Sequence, residues 1–360
     1  MTDFAQRLMR FRADLAASEF EAALVSGGAN IRYLSGFTGD YGALLIDGAN
    51  AILLSDFRYR YQAAEQAPGF QFREVRRWVE GIADAVRELG YRTVGFEPNH
   101  ITYQVHSQLV AELPEVLLIP ADGAIERLRA VKDAQELAYI ERAAALTDAA
   151  AERVISLVRP GVTERELALA AEDCIRNEGG AELAFPPIVA SGPRSAQCHA
   201  EPGPRELGRG DLVVIDVGAR CEGYGADITR TVAVGTATAM QRDLYALCWR
   251  AQAAGLAAVK GGIRCRDLDH AARSVIEDAG RGSQFGHGLG HGVGLEPHEA
   301  PRLTSMEEAI VDAGMTMTIE PGIYTIEAGG VRLEDLVVVT ESGHRVLTHA
   351  PKPAELPVLG

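Results

Sequence analysis

Asp216, Asp227, His291, Glu320 and Glu334, in the second half of the chain, have the side-chain types of ligands to a pair of hard divalent cations. Each lies in an apolar, strand-like run or in a glycine-rich turn. Carboxylates gathered on neighbouring strands repel one another strongly unless cations sit between them. One imidazole among oxygen donors suits Mn²⁺, Co²⁺, Fe²⁺ or Zn²⁺ better than Ca²⁺, and no thiolate cluster points to a soft site. The chemistry such a set supports is two-metal hydrolysis.

The run DLVVIDVGARCEGYGADITRTVAV predicts Asp216 in one strand and Asp227 in the next, joined by a glycine-rich turn. An antiparallel pair would bring both carboxylates within a few ångströms. Each aspartate interrupts a β-branched run, a local conflict that marks function more often than folding. The stretch FGHGLGHGVGLEPHE carries His287, His291 and His298 among five glycines, three of the chain's nine histidines within twelve residues. It lacks the spacing of a phosphate-binding loop and opens no predicted helix.

MTMTIEPGIY places Glu320 at the end of a strand, and GGVRLEDLVVVTESG places Glu334 inside another. Arg332, two residues earlier on the same strand face, is expected to orient a ligand or to pair with a substrate carboxylate. Taken alone, the segment reads more readily as an ordinary surface Arg–Glu pair. His199 follows an apolar strand in a loop, where a solvated histidine is the plain expectation. Cys198 beside it does not make a catalytic dyad, because adjacency in sequence is not dyad geometry.

These residues need elements to hold them. A length of 360 residues suggests two domains, and 47% hydrophobic with 24% charged residues is ordinary for globular chains. Residues 1–122 alternate short apolar runs with helical patterns. Ala22–Ser26, Ala43–Ile46, Ala51–Leu54, Thr93–Phe96 and Val116–Ile119 read as strands. Met1–Glu19, Phe57–Gln66, Trp78–Leu89 and Ile101–Leu113 read as helices. This predicts an α/β layered domain without a catalytic cluster. Pro120-Ala121-Asp122-Gly123 is the expected boundary, and residues 123–360 form the second domain. There a helix over Lys132–Leu157 is stopped by Pro160-Gly161, and Thr163 with Glu166 opens another as a capping box. Strands follow, interrupted by helices near Met240–Val259 and Cys265–Ala279.

A formal charge of −15 argues against nucleic acid or an anionic membrane as partner. Five cysteines without a C-x-x-C pair suit a reducing compartment. The first residues show no signal-peptide core, no run reaches membrane-spanning length, and the cytoplasm is the expected location.

With these residues in hand, the chain resembles the pita-bread metallopeptidases, in the branch of Xaa-Pro dipeptidase (prolidase) and aminopeptidase P. The order Asp, Asp, His, Glu, Glu at intervals of 11, 64, 29 and 14 residues is similar to the metal set of that family's compact prolidases. TIEPGIY, VRLED and the spacing of His291 and His298 are also family-like, as are NIRYLSGFTG and LRAVKDAQELAYIERA earlier in the chain. The resemblance implies a creatinase/prolidase-like α/β N-terminal domain and an α+β pita-bread catalytic domain. It further implies two divalent ions per chain, Mn²⁺ first and Co²⁺ or Zn²⁺ next. Asp216 would bind one ion, Asp227 and Glu334 would bridge both, and His291 with Glu320 would complete the second. Glu320 would also handle the proton of the attacking water. His298 and His199 would meet the substrate carbonyl and its oxyanion, and His287 would lie near the leaving proline. Arg332 and Arg302 are the candidate contacts to a substrate carboxylate. The implied substrate is a short peptide cut before proline, with dipeptidase favoured over aminopeptidase P. A creatinase-like hydrolase or a binding protein is the remote alternative, and a homodimer is the expected assembly. Arg194 and Cys198 depart from the family's usual loop residues, and Arg194 is expected to add a cation near the substrate.

Overall fold

The computed structural model describes residues 4–178 and 181–360, in two compact units, Met1–Arg129 and Ala130–Gly360. In the first unit the apolar runs become a mixed sheet. Its strands are β1 (Ala22–Val25), β2 (Ala43–Ile46), β3 (Ala51–Ser55), β4 (Gln71–Glu74), β5 (Thr93–Phe96) and β6 (Leu117–Pro120). Their order is β4-β3-β2-β1-β5-β6, antiparallel from β1 through β3 and parallel elsewhere. The helices are α1 (Phe4–Ala16), α2 (Gly28–Ser35), α3 (Arg60–Gln66), α4 (Trp78–Leu89), α5 (Tyr103–Glu112) and α6 (Ala124–Ala130). Alternate residues Leu24, Leu45 and Leu54 meet Ile82 and Val86 of α4 and Leu109 of α5 in one core.

Helix α1 begins at Phe4, and the earlier start predicted at Met1 lies outside the described residues. It buries Leu8, Phe11 and Leu15, the stripe its periodicity predicts. Helices α2 and α6 and strand β4 escape the sequence reading. Helix α2 has no side-chain cap; the amide of Gly27, just before its first residue, donates to remote Glu97 at 2.7 Å. Strand β4, Gln-Phe-Arg-Glu, has no buried residue and so no apolar signature.

The second unit opens with α7 (Ala134–Leu157), capped by Asp133 and Glu136, and α8 (Glu164–Asp173), capped by Thr163 and Glu166. Strands β7 (Glu182–Leu183), β8 (Ile188–Ser191), β9 (Leu212–Val217), β10 (Ala219–Cys221), β11 (Tyr224–Gly225) and β12 (Ile228–Val234) precede α9 (Ala239–Ala258) and α10 (Cys265–Asp278). The remaining strands are β13 (Gly290–Gly292), β14 (Glu299–Leu303), β15 (Thr316–Ile319), β16 (Gly322–Thr325), β17 (Gly329–Arg332), β18 (Asp335–Thr340), β19 (Gly343–Val346) and β20 (Val358–Leu359). They form two main sheets, β20-β12-β9-β8 and β14-β13-β15-β18-β19, with β16–β17 as a hairpin.

Each main sheet buries a helix-covered face. Val154 of α7 and Leu167 of α8 pack on Val213, Ile215, Val217, Ile228 and Val232. Leu268 and Ala272 of α10 pack with Met317, Ile319 and Val337 of the other sheet. The period of two then turns Asp216, between Ile215 and Val217, to the opposite face. Two positions differ from the sequence reading. Asp227 lies just before β12 and Glu334 in the break between β17 and β18, rather than inside strands. A ladder residue would be held to one sheet face; these two residues sit where the backbone has left the ladder.

Candidate active site

Register brings the ionisable residues together. Asp216 stands across from Thr229, and Asp227, two residues before Thr229, lies on that same face. Ile319 pairs with Asp335 in the β15–β18 ladder, so Glu320 and Glu334 lie opposite one another one step past its end. His291 comes from β13, where its amide meets Thr318 Oγ1 at 3.1 Å. Glycine on both sides makes this approach achievable. A Cβ on Gly290 would overlap the Thr318 carbonyl, and one on Gly292 the Ala300 carbonyl.

The ligand-type atoms of Asp227, His291 and Glu334 lie within 4.8 Å of one another. Nε2 of His291 is 3.2 Å from Glu320 and 3.8 Å from Asp227. Its Nδ1 is 3.1 Å from the Gly292 carbonyl, which only accepts, so a ring proton sits there. Burial opposes a charge on the ring, but the hydrogen bond and charge of Glu320 raise its pKa, so the protonated ring also donates from Nε2 to Glu320, at a position where a cation would displace that proton. Asp216 is paired with Arg332 at 2.6 Å.

Burial and crowding show in the acidities. Burial, then the charges of Glu334, Asp216 and Glu320, pushes Asp227 well above the usual carboxylate range. Burial, then Glu320 and Asp216, does the same to Glu334. Burial also raises Asp216, against the opposing charge of Arg332. Burial would raise Glu320 too, but hydrogen bonding to His291 and its charge bring it down to about 2. Asp216 Oδ1, Asp227 Oδ1 and Glu334 Oε1 are buried without a hydrogen-bond partner among the described residues. Three orphaned oxygens in a crowded acidic cluster are costly unless cations meet them, so the donor set fits divalent metal.

Around the cluster is a cavity of about 650 Å³, walled by Phe185, Pro186, Pro187 and Ile188 and reached by His199, His287, His298 and Arg302. The His298 ring lies 4.1 Å from that of His291, centre to centre. Burial and the neighbouring His291 lower its pKa, leaving a neutral ring that can donate a hydrogen bond. Arg302 pairs directly across from His291 in the β13–β14 ladder, is exposed, and has no ionic or hydrogen-bond partner among the described residues.

Arg332 is differently placed. Its guanidinium donates to Asp216, to Thr229 Oγ1 at 3.0 Å, to the Cys198 carbonyl at 3.2 Å and to the Tyr324 hydroxyl at 3.1 Å. His287 is also engaged at both nitrogens, with Gly288 O at 2.8 Å and Tyr324 Oη at 3.0 Å. Burial lowers its pKa, so the ring is neutral, its Nδ1 donates to the carbonyl, and its Nε2 accepts from Tyr324. Arg194, expected near the substrate, is instead paired with Glu164 at 3.1 Å, and it does not line the cavity.

Thr229, Tyr324, Asp269 and Arg273 were missed by the sequence reading. Thr229 and Tyr324 lie two and four residues beyond Asp227 and Glu320, but nothing in their types signals their partners, Glu334 and Arg332 for the first and His287 and Arg332 for the second. Asp269 and Arg273, a helix pair four residues apart, hold the histidine stretch. Arg273 donates to the Phe285 and His287 carbonyls, and Asp269 accepts from Leu289 N. Their spacing was visible; their target was not.

Comparison with known proteins agrees with this geometry. The model of metallopeptidase family M24 matches residues 138–341, and that of the Creatinase/Prolidase N-terminal domain matches residues 7–131. The chain belongs to metallopeptidase family M24: it is a hydrolase of the pita-bread fold, and its family works with divalent metal ions. The chain is 39% identical over 333 residues to the uncharacterized peptidase YqhT of Bacillus subtilis, covering 92% of this chain and 94% of that one. A solved Xaa-Pro dipeptidase from Bacillus anthracis superposes with a TM-score of 0.95 at 36% identity, covering 99% of this chain and 100% of the other. An X-Pro aminopeptidase from Thermotoga maritima gives 0.89 at 33%, covering 98% and 99%.

Proposed function

We propose that this chain is an Xaa-Pro dipeptidase, hydrolysing the bond before proline in short peptides with two divalent ions, Mn²⁺ first and Co²⁺ or Zn²⁺ as substitutes. The observation that carries the metal reading is the set of orphaned oxygens on Asp216, Asp227 and Glu334 around His291. The proposed ligands are Asp216, Asp227, His291, Glu320 and Glu334. When bound, divalent cations bring the pKa of water towards neutrality and polarise a carbonyl.

The protein's own groups do the rest. Glu320, ionised at neutral pH, accepts the proton of the attacking water and delivers it to the leaving proline nitrogen. Neutral His298 and the exposed His199 donate to the carbonyl oxygen as charge develops on it. His287, its nitrogens occupied, offers a fixed ring face to the proline. Arg332 holds Asp216 in its ionised form. An X-Pro amide has no N–H, so the site must recognise its substrate by other handles. Arg302, unpaired beside His291, is the proposed partner of the proline carboxylate.

The likeness to an X-Pro aminopeptidase supports a second reading, action on longer peptides. Hydrolysis of a matched Xaa-Pro dipeptide and Xaa-Pro-Yaa tripeptide by the Mn²⁺-loaded enzyme separates the two. Preference for the tripeptide would replace dipeptidase with aminopeptidase P. We also propose a cytoplasmic homodimer. Support for that location comes from five free cysteines, four of them buried. No helix among the described residues is long and apolar enough to cross a membrane.

A further inference from the structure

Lys132 and Glu299 form an ion pair at 2.8 Å whose side chains are 0% and 4% exposed, across 167 residues of sequence. The lysine backbone is itself fixed: Lys132 N donates to Gly314 O at 3.0 Å, and Val131 bridges Met315 at the entry to β15. Its ammonium also donates to Ala130 O at 3.1 Å. At the other end, Glu299 immediately follows His298. Its second oxygen lies 3.4 Å from the Glu296 amide, at the edge of bonding distance. Gly294 N donates to Glu296 O at 3.1 Å, and a Cβ on Gly294 would strike the Glu299 carboxylate. The turn from Gly294 to Pro297 is thus folded around this carboxylate.

A buried ion pair is poorly explained by stability, because two apolar side chains of similar volume commonly serve as well or better. What such a pair does supply is a fixed position.

We propose that Lys132, acting through Glu299, is a positioning residue for His298: it sets the turn that aims the His298 ring at the substrate carbonyl. The inference rests on the reading of His298 as the carbonyl-side donor. A donor displaced by about 1 Å loses on the order of 10²-fold in rate.

The test compares Lys132→Met, the apolar pair K132M/E299L, and Lys132→Arg. K132M/E299L guards against a variant that fails to fold around an unpaired charge. With wild-type metal content, Lys132→Met and the apolar pair should each lose roughly 10²-fold in kcat with little change in KM, and Lys132→Arg should recover most of it. Added to His298→Ala, Lys132→Met should cost less than about twofold more, since the group it positions is gone. Full multiplication of the two losses would overturn the proposal. The readout independent of turnover is the NMR signal of the His298 ring nitrogens in Zn²⁺-loaded protein, which should move in Lys132→Met and return in Lys132→Arg. An unmoved ring signal would overturn the proposal whatever the kinetics. A moved signal together with a harmless His298→Ala would uphold the positioning and reject instead the reading of His298 as donor.

Discussion

Thr229 gives its hydroxyl proton to Glu334 at 2.7 Å and, with the same oxygen, accepts from Arg332. One small side chain therefore joins the cationic and anionic sides of the carboxylate cluster. Thr229→Val keeps the shape and removes both bonds. Metal affinity is expected to fall about 10- to 100-fold, the usual cost of losing a group that orients a ligand. Titration calorimetry on metal-free protein measures this, and an unchanged affinity would show that Glu334 needs no such support.

Asp227→Asn removes a charge from the most crowded position of the cluster, where Glu334, Asp216 and Glu320 all act on it. The variant is expected to fold, to retain fewer than two metal ions per chain, and to lose at least about 100-fold in turnover. Elemental analysis after dialysis, alongside kcat, checks both. Two retained ions with near-normal turnover would remove Asp227 from the ligand set.

Arg302→Met tests substrate length. Losing a charge-assisted contact costs about 1.5–3 kcal/mol, so Xaa-Pro hydrolysis should slow roughly 10- to 150-fold. A tripeptide, whose carboxylate lies one residue further out, should suffer much less. Metal content should not change, because Arg302 borders the cluster without a bond to it. Equal loss on both substrates would remove Arg302 from carboxylate recognition.

The raised acidities set a pH dependence with a definite sign. Asp227 and Glu334 have folded pKa values above their unfolded ones, chiefly through burial. Such groups stabilise the fold below about pH 4, and that stability is lost as pH rises through the folded values. Glu320, held at about 2, acts oppositely, but its contribution changes only below about pH 4.5. Metal-free protein should therefore weaken from acidic to neutral pH, and cations should relieve it. The rise in Tm on adding Mn²⁺ is expected to be larger near pH 8 than near pH 5.5. Equal rises would contradict the proposed ligation.

Sequence reading recovered what periodicity and punctuation encode. The core strands of the first unit, the capping box at Thr163 and the two long helices after β12 are local signals, and the fold class follows from them. The five ligand-type residues were legible because a carboxylate in an apolar run contradicts its surroundings. Helix α2 was illegible because the carboxylate that anchors its entry, Glu97, lies some seventy residues away in sequence. Tyr324 and Thr229 were illegible for a related reason: a hydroxyl suits many environments, and only the partners brought by the fold give it a task. Arg194 shows the converse error, since its charge was visible but the buried Glu164 that claims it was not.

The two strand breaks that carry Asp227 and Glu334 have a consequence for how the centre is lost. Asp216 stands in one main sheet, with Asp227 just before its strand β12, whereas His291 stands in the other, with Glu320 just past β15 and Glu334 just before β18. Neither sheet alone carries the whole constellation. Any partial opening that parts the two sheets scatters the five side chains at once, well before either sheet unravels. With these five as the proposed ligands, escape of bound ions would then clock the breathing of the second unit, and tighter sheet-to-sheet contact would lengthen their residence without altering any of the five side chains.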